Sequence, residues 1–388
     1  MKRLSIIFLA VWALVAAVAA QSPAVSLLTC SPGSEVYEIY GHTAIRVVDA
    51  RGIDVVYNFG MFSFDEPGFV YRFVKGETDY FVACYPTAYF LPQYAQRHSQ
   101  VKEQRLNLHP KEVTALVATL DSLCLPENRT YRYNYVLNNC ATRPRDLIEK
   151  AVGGVAYAES ESGNDTFRSL LSEYGRNYPW YQFGIDLVLG SPLDRPLTFR
   201  ERLFAPELLR EAMADARRAD GEPVVVEESI LVDGDDGVAG DDGGGFFTPM
   251  VVFGALLVFT ILISYRDVRR KRALRLFDSL LFLALGLTGC FVFFLVFFSQ
   301  HEATSPNWHI LWVNPLCFIG AVACWINSAK KWIYCYHFIN FAIIFILLAS
   351  WWAIPQKANV AVLPLVLSVL LRSATNVYVG KKCVKGNK

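Results

Sequence analysis

Beyond residue 245 the chain carries five apolar runs, at about 246–265, 279–298, 309–326, 332–352 and 360–379, and they restrict its fold more than any other feature. Each approaches the roughly 20 residues that a helix needs to cross a bilayer. In hydrocarbon a backbone can satisfy its own polar groups only as helices or a closed barrel. Five transmembrane helices are therefore expected over 246–379, the last of them interrupted by Arg372. The connections alternate in charge. Residues 266–275, the pair Lys330-Lys331 and the tail over 380–388 are basic, whereas 299–308 holds no lysine or arginine and 351–359 holds only Lys357. Basic connections stay in the cytoplasm, so the region before residue 246 is expected on the opposite side of the inner membrane. An odd number of spans agrees with an exported front and a cytoplasmic tail.

The amino terminus points the same way. Met1-Lys2-Arg3, an apolar stretch and the small residues Val18-Ala19-Ala20 form the three parts of a secretory signal over 1–20, cut between Ala20 and Gln21. The bland alternative is an uncleaved anchor. Leu28-Thr29-Cys30 suits lipidation poorly, because Thr29 is unfavourable before a lipidated cysteine and the segment lies past the cleavage site. Export means an oxidising compartment for Cys30, Cys84, Cys124 and Cys140. One pair, Cys30 with Cys84 or Cys84 with Cys124, would leave Cys140 free, and spacing does not choose between them. The formal net charge of +1 hides a split. Residues 21–245 carry roughly 21 Lys/Arg against about 33 Asp/Glu, an acidic balance that argues against nucleic acid as a partner.

Within 21–230 the pattern is mixed α+β. Residues 43–48, a turn at 49–52 and residues 53–59 alternate as a β-hairpin. That pairing sets His42 opposite Asn58 or Phe59, and residues opposite one another share a face. The aromatic stretch 69–89 suggests further strands. Residues 110–123 have helical spacing with an acidic first turn, and 131–135 read as another short strand. Leu147, Ile148 and Val152 recur at helical spacing until Gly153-Gly154, with Pro144 in the first turn, where a missing N–H costs least. Helices are also expected near 166–174 and 206–218. The apolar segment 180–190 is too short to span and suits a core better than lipid. Residues 231–245 are acidic and glycine-rich, a linker. They lack the ligand spacing of a calcium loop.

The chemistry converges on two residues. Cys140 follows Asn138-Asn139 at the start of a helix, the positive end of its dipole, and His42 opens a strand. Taken singly, Cys140 is as readily a buried hydrophobe or a disulfide partner, and His42 a structural histidine. Together a thiol and an imidazole make an activated nucleophile, with Asn58 the candidate to orient the ring. Arg143 is either a salt-bridged surface residue or a phosphate holder. There is no glycine-rich phosphate loop and no zinc-spaced Cys/His cluster, so no metal or nucleotide cofactor is expected.

Gly41-His42-Thr43-Ala44 followed by Asn139-Cys140 before a helix resembles the circularly permuted branch of the NlpC/P60 papain-like superfamily, whose lecithin:retinol acyltransferase-like members move acyl groups from phospholipids. More specifically, Ser34-Glu35-Val36-Tyr37-Glu38, Tyr40-Gly41-His42-Thr43-Ala44-Ile45-Arg46-Val47, Val56-Tyr57-Asn58-Phe59-Gly60, Asn138-Asn139-Cys140-Ala141-Thr142-Arg143 and Phe183-Gly184-Ile185-Asp186-Leu187 are similar to the Bacteroides-type lipoprotein N-acyltransferase (Lnb) family. The resemblance implies a permuted papain-like periplasmic domain ahead of a multi-span region. It also implies acyl transfer from a phospholipid, through a Cys140 thioester, to the N-terminal amine of diacylglyceryl-cysteine lipoproteins, with the oxyanion met by the Cys140 backbone N–H and the Asn139 amide. The competing expectations are an NlpC/P60-like cysteine peptidase or amidase, and a non-enzymatic membrane-anchored binding protein with Cys140 in a disulfide.

Overall fold

The computed structural model describes residues 23–65, 67–158, 163–236 and 245–385, from 382 as backbone only. The expected signal peptide and most of the expected linker lie outside the described residues. Two compact units form. One comprises residues up to 70, 77–165 and 196–239, and the other 71–76, 166–195 and 240–388. The expected head over 21–230 is thus divided, because 166–195 packs with the C-terminal unit.

The first unit is built on a seven-stranded antiparallel sheet: β1 (Ala24–Cys30), β2 (His42–Val48), β3 (Asp54–Met61), β4 (Asp79–Pro86), β5 (Val101–Leu106), β6 (Thr130–Arg132) and β7 (Val225–Val232). Their spatial order is β6-β4-β3-β2-β1-β5-β7. The hairpin β2–β3 forms where expected. Its turn is held by the Asp49 carboxylate, which accepts from the N–H groups of Arg51 and Ile53, each at 2.9 Å. In register, Ala44 and not His42 lies opposite Asn58, which puts His42 and Asn58 two residues apart on one face. Strands β1, β5 and β7 went unforeseen. β7 runs to Val232, and the Asp235 backbone continues the pairing with His98 and Gln100, so the linker begins later than residue 231.

Helices cover both faces of the sheet. Leu27, Ile45, Tyr57 and Phe59 pack against α2 (Pro110–Leu123), α3 (Thr142–Ala151) and the helix Pro206–Asp215. On the other face Leu28, Cys30, Ala44 and Val56 pack against Phe90 and Tyr94 of α1 (Thr87–Gln96). Residues 69–75 are helical and not a strand. Gly68 and Gly76, both at positive φ, bracket one short helix there and override the β propensity of its aromatics.

The second unit contains α4 (Phe167–Tyr174), α5 (Pro179–Val188) and four helices long and apolar enough to cross a membrane: α6 (Pro249–Arg270), α7 (Arg275–Phe297), α8 (Lys330–Ala349) and α9 (Val362–Lys385). Four such helices lie among the described residues, over four of the five apolar runs. The run at 309–326 is broken into the turn Trp308–Leu311, the short helix Cys317–Val322 and a second turn. Pro315 cannot continue a helical hydrogen-bond ladder, and the Asn314 backbone lies so close to Gly289 of α7 that a Cβ there would come within 2.4 Å of it.

The apolar segment of α5 joins this unit's core through Phe183 and Leu187. Arg168 of α4 fixes it further, reaching Asp186 at 3.2 Å, Asp194 at 2.8 Å and the carbonyls of Leu189 and Gly190 at 2.9 Å. Arg372, the odd residue of the last span, is fully buried between Asp278 at 2.6 Å and Asp267 at 3.0 Å. A paired arginine is tolerable in an apolar helix where a lone one is not.

Candidate active site

Two glycines shape the backbone around Cys140. Gly41, at φ +72°, turns the chain into β2; a Cβ there would lie 2.7 Å from the Cys30 carbonyl oxygen. Gly60, at φ +88°, sits in the bulge of β3, where a Cβ would come within 3.2 Å of the Tyr133 ring and 3.8 Å of the Cys140 Cβ. Both positions require a backbone that side chains disfavour, in close quarters.

The start of α3 is held by Asn139. Its Oδ1 accepts from the N–H groups of Ala141 and Thr142, both at 2.9 Å, and its Nδ2 donates to the carbonyls of Tyr135 and Phe204, both at 2.9 Å. Both amide hydrogens are thus engaged with backbone carbonyls, and the amide oxygen holds the first N–H groups at the start of α3. Arg143 likewise serves the scaffold. Its Nε donates to Asn138 Oδ1 at 2.8 Å and its guanidinium lies 3.9 Å from the Tyr131 ring centroid.

With its backbone so fixed, Cys140 presents its thiol to the His42 imidazole, the Thr43 backbone N–H and the Tyr133 hydroxyl. His42 Nε2 is 2.6 Å from Asn58 Oδ1, which leaves Nδ1 for the sulfur. Asn58 Nδ2 in turn donates to the Tyr85 hydroxyl at 2.7 Å. The sequence places Cys140, His42 and Asn58 in three separate elements, and the fold brings them together.

The electrostatics follow from this geometry. Burial, the largest influence on Cys140, works to raise its pKa. The charge and hydrogen bond of His42, with the Thr43 N–H and Tyr133, outweigh it and hold the thiol below its ordinary 9.0. Burial also opposes the charged form of His42, yet the sulfur and Asn58 raise the imidazole above its ordinary 6.5. The two shifts have opposite signs and favour a thiolate beside an imidazolium.

The matches to known families agree with this architecture. A model described as the Lnb N-terminal periplasmic domain matches residues 11–173, and one described as the Lnb transmembrane domain matches residues 241–383. The chain belongs to the Lnb family. It is a membrane protein with a periplasmic domain. No curated protein and no solved structure matches the chain, and the NlpC/P60 likeness finds no support among these matches.

In this Lnb chain two site residues escaped the sequence reading. Tyr133 meets both the thiol and, through its oxygen, the Cys140 backbone N–H. Tyr85 lies behind Asn58. Both occur in aromatic-rich strands, where nothing local separates them from core tyrosines. The loops that flank the site expose apolar side chains beside the polar Ser34, Glu35 and Asp65. Val36, Tyr37, Phe64, Tyr135 and Leu137 are exposed, and they stand on the loops before His42, after β3 and before Cys140. Ring contacts tie these loops together, Tyr40 to Tyr135 at 5.1 Å and Tyr37 through Phe62 to Phe64 at 6.3 and 4.9 Å.

Proposed function

We propose that this protein is a thiol-dependent acyltransferase that moves an acyl chain from a membrane phospholipid to the N-terminal amine of diacylated lipoproteins, as a multi-pass protein of the bacterial inner membrane. The observation that carries the reading is the single constellation of Cys140, His42 and Asn58.

In the first half-reaction the Cys140 thiolate attacks an ester carbonyl of the phospholipid. The tetrahedral oxyanion collapses to a thioester as His42 gives its proton to the leaving lysophospholipid oxygen. In the second, the free α-amine of the diacylglyceryl-cysteine attacks the thioester while His42 takes a proton from the nitrogen. The amide forms and the thiol is regenerated. Asn58 holds the ring so that Nδ1 faces sulfur throughout. The oxyanion is met by the Cys140 N–H, and Tyr133 supplies a second donor beside it once its hydroxyl turns to the substrate.

Family membership and the ring-linked apolar side chains exposed on the loops that flank the site support lipid substrates over a peptide of the cell wall, since clustered exposed apolar side chains mark a lipid or partner surface. A papain-like reading of the domain is consistent with the order of His42 and Cys140 along the chain. The test is mass spectrometry of lipoprotein N-termini in a host lacking its own N-acylating enzyme. With the full chain, triacylated N-termini are expected; with Cys140→Ala they disappear while the protein still accumulates in the membrane. Continued N-acylation in the Cys140→Ala strain would refute the proposal. Cleaved wall peptides in place of acylated lipoproteins would favour the peptidase.

A further inference from the structure

Cys84 and Cys124 take no part in the site above, yet the fold sets them side by side. Cys84 stands on β4 directly opposite Tyr57 of β3. The Tyr57 hydroxyl donates to Asp121 Oδ1 at 2.5 Å, and Asp121 lies in the last turn of α2. The next turn ends that helix at Cys124, whose N–H bonds the Asp121 carbonyl. Both cysteines therefore flank one Tyr57–Asp121 contact, and the structure holds them as free thiols within hydrogen-bonding reach of each other. Cys84 is exposed and Cys124 is half-buried, so a soluble oxidant can reach them.

We propose that Cys84 and Cys124 form a disulfide in the periplasm that clamps the C-terminal end of α2 to strand β4 and leaves Cys140 as a reduced thiol. This goes beyond the acyl-transfer reading and does not depend on it. The oxidant is an external disulfide, of a protein or a small thiol. The Cys84 thiolate attacks one of its sulfurs, forming a mixed disulfide and releasing a first thiolate. Cys124 gives its proton to solvent and attacks the Cys84 sulfur, releasing the second. Two protein thiols are oxidised and one external disulfide is reduced to two thiols.

The acidities suit this order. The hydrogen bond from Cys124, the largest influence, holds Cys84 at about 7 against burial, with Tyr57 assisting. The same contact pushes Cys124 up. Cys84 is thus the first nucleophile and Cys124 the resolving thiol. Cys30 stands across the β1–β2 ladder from His42, and its thiol is hydrogen-bonded with Tyr94. It is buried, and burial outweighs its hydrogen bond with Tyr94 to push it up to about 12.

The experiment uses the full-length protein in cell membranes. Thiols are quenched with acid, blocked with N-ethylmaleimide, and the protein is mapped as peptides without reduction. The expected result is a linked Cys84–Cys124 peptide with Cys30 and Cys140 alkylated, and a Cys84→Ser variant in which Cys124 becomes alkylated. Alkylation of both Cys84 and Cys124 in the wild type, or linkage of either to another cysteine, overturns the proposal. A second measurement bears on the clamp. Reductant should lower the unfolding temperature of the wild type and leave that of Cys84→Ser/Cys124→Ser unmoved; an equal effect on both would refute the clamp. Neither readout involves acyl transfer, so failure here and failure of the acyltransferase reading are separable.

Discussion

At Cys140 two opposing forces act on one sulfur, burial raising its pKa and the His42 imidazole lowering it. Removing the imidazole leaves burial less opposed. In His42→Ala the pH midpoint for alkylation of Cys140 by iodoacetamide should therefore move upward, from below the ordinary 9.0 of a thiol toward or above it. A midpoint that stays put would mean that the imidazole does not set the thiol's acidity. Tyr133→Phe separates a different contribution. It keeps the ring and its stacking on Tyr80 at 4.3 Å but removes the hydroxyl beside the Cys140 N–H. Loss of one oxyanion donor should slow acyl transfer by about 100-fold with little change in protein yield, read as the rate of lipoprotein N-acylation. An undiminished rate would show that the backbone N–H suffices. His42 and Cys140 were legible because each sits beside turn and helix signals that the sequence prints. Tyr133 was not, since its role depends on which way a bulge in β3 and the loop before α3 bring it.

Among the elements, the segment that leads into α3 is held by the side chain of Asn139. Asn139 stands next to Cys140, as an oxyanion donor would, but the four hydrogen bonds of its side chain all go to backbone groups. Asn139→Ala would leave two carbonyls and two N–H groups to find other partners, at a cost of about 2–3 kcal/mol. The expected outcome is a lower unfolding temperature of the full-length protein in detergent. Full stability with acyl transfer lost would restore the oxyanion role instead. The hairpin β2–β3 and helix α2 could be foreseen because their hydrogen bonds are local and their apolar periods clear. Strands β1, β5 and β7 are held by partners far along the chain, and β7, on the sheet edge, interrupts its apolar residues with Glu227-Glu228-Ser229, which breaks the alternation a strand would show. Asn58 was placed near His42 by hairpin logic, and the register then put it diagonally across from the ring, not opposite.

For the molecule as a whole, the buried Arg372 binds α9 to the ends of α6 and α7 through Asp267 and Asp278, with Ser264 at 3.1 Å adding a neutral partner. Arg372→Leu should destabilise the detergent-solubilised protein by about 3–5 kcal/mol, because it leaves two buried carboxylates without their shared cation. The check is thermal unfolding, with Arg372→Leu/Asp278→Asn recovering part of the loss. A variant as stable as the wild type would mean that the helices pack independently of this pair. The sequence by itself determined that the chain is a mixed α+β region followed by apolar helices, and it singled out a histidine and a cysteine as candidates for chemistry, because periodicity, composition and helix-start signals are local properties of the chain. Only the tertiary structure decided that 309–326 is broken, that 166–195 packs with the apolar helices, that Asn139 caps and Tyr133 joins the thiol, and that Cys84 meets Cys124. Those outcomes depend on close approach between residues distant in sequence, such as Gly289 against Asn314, and packing at that range is set by the whole fold.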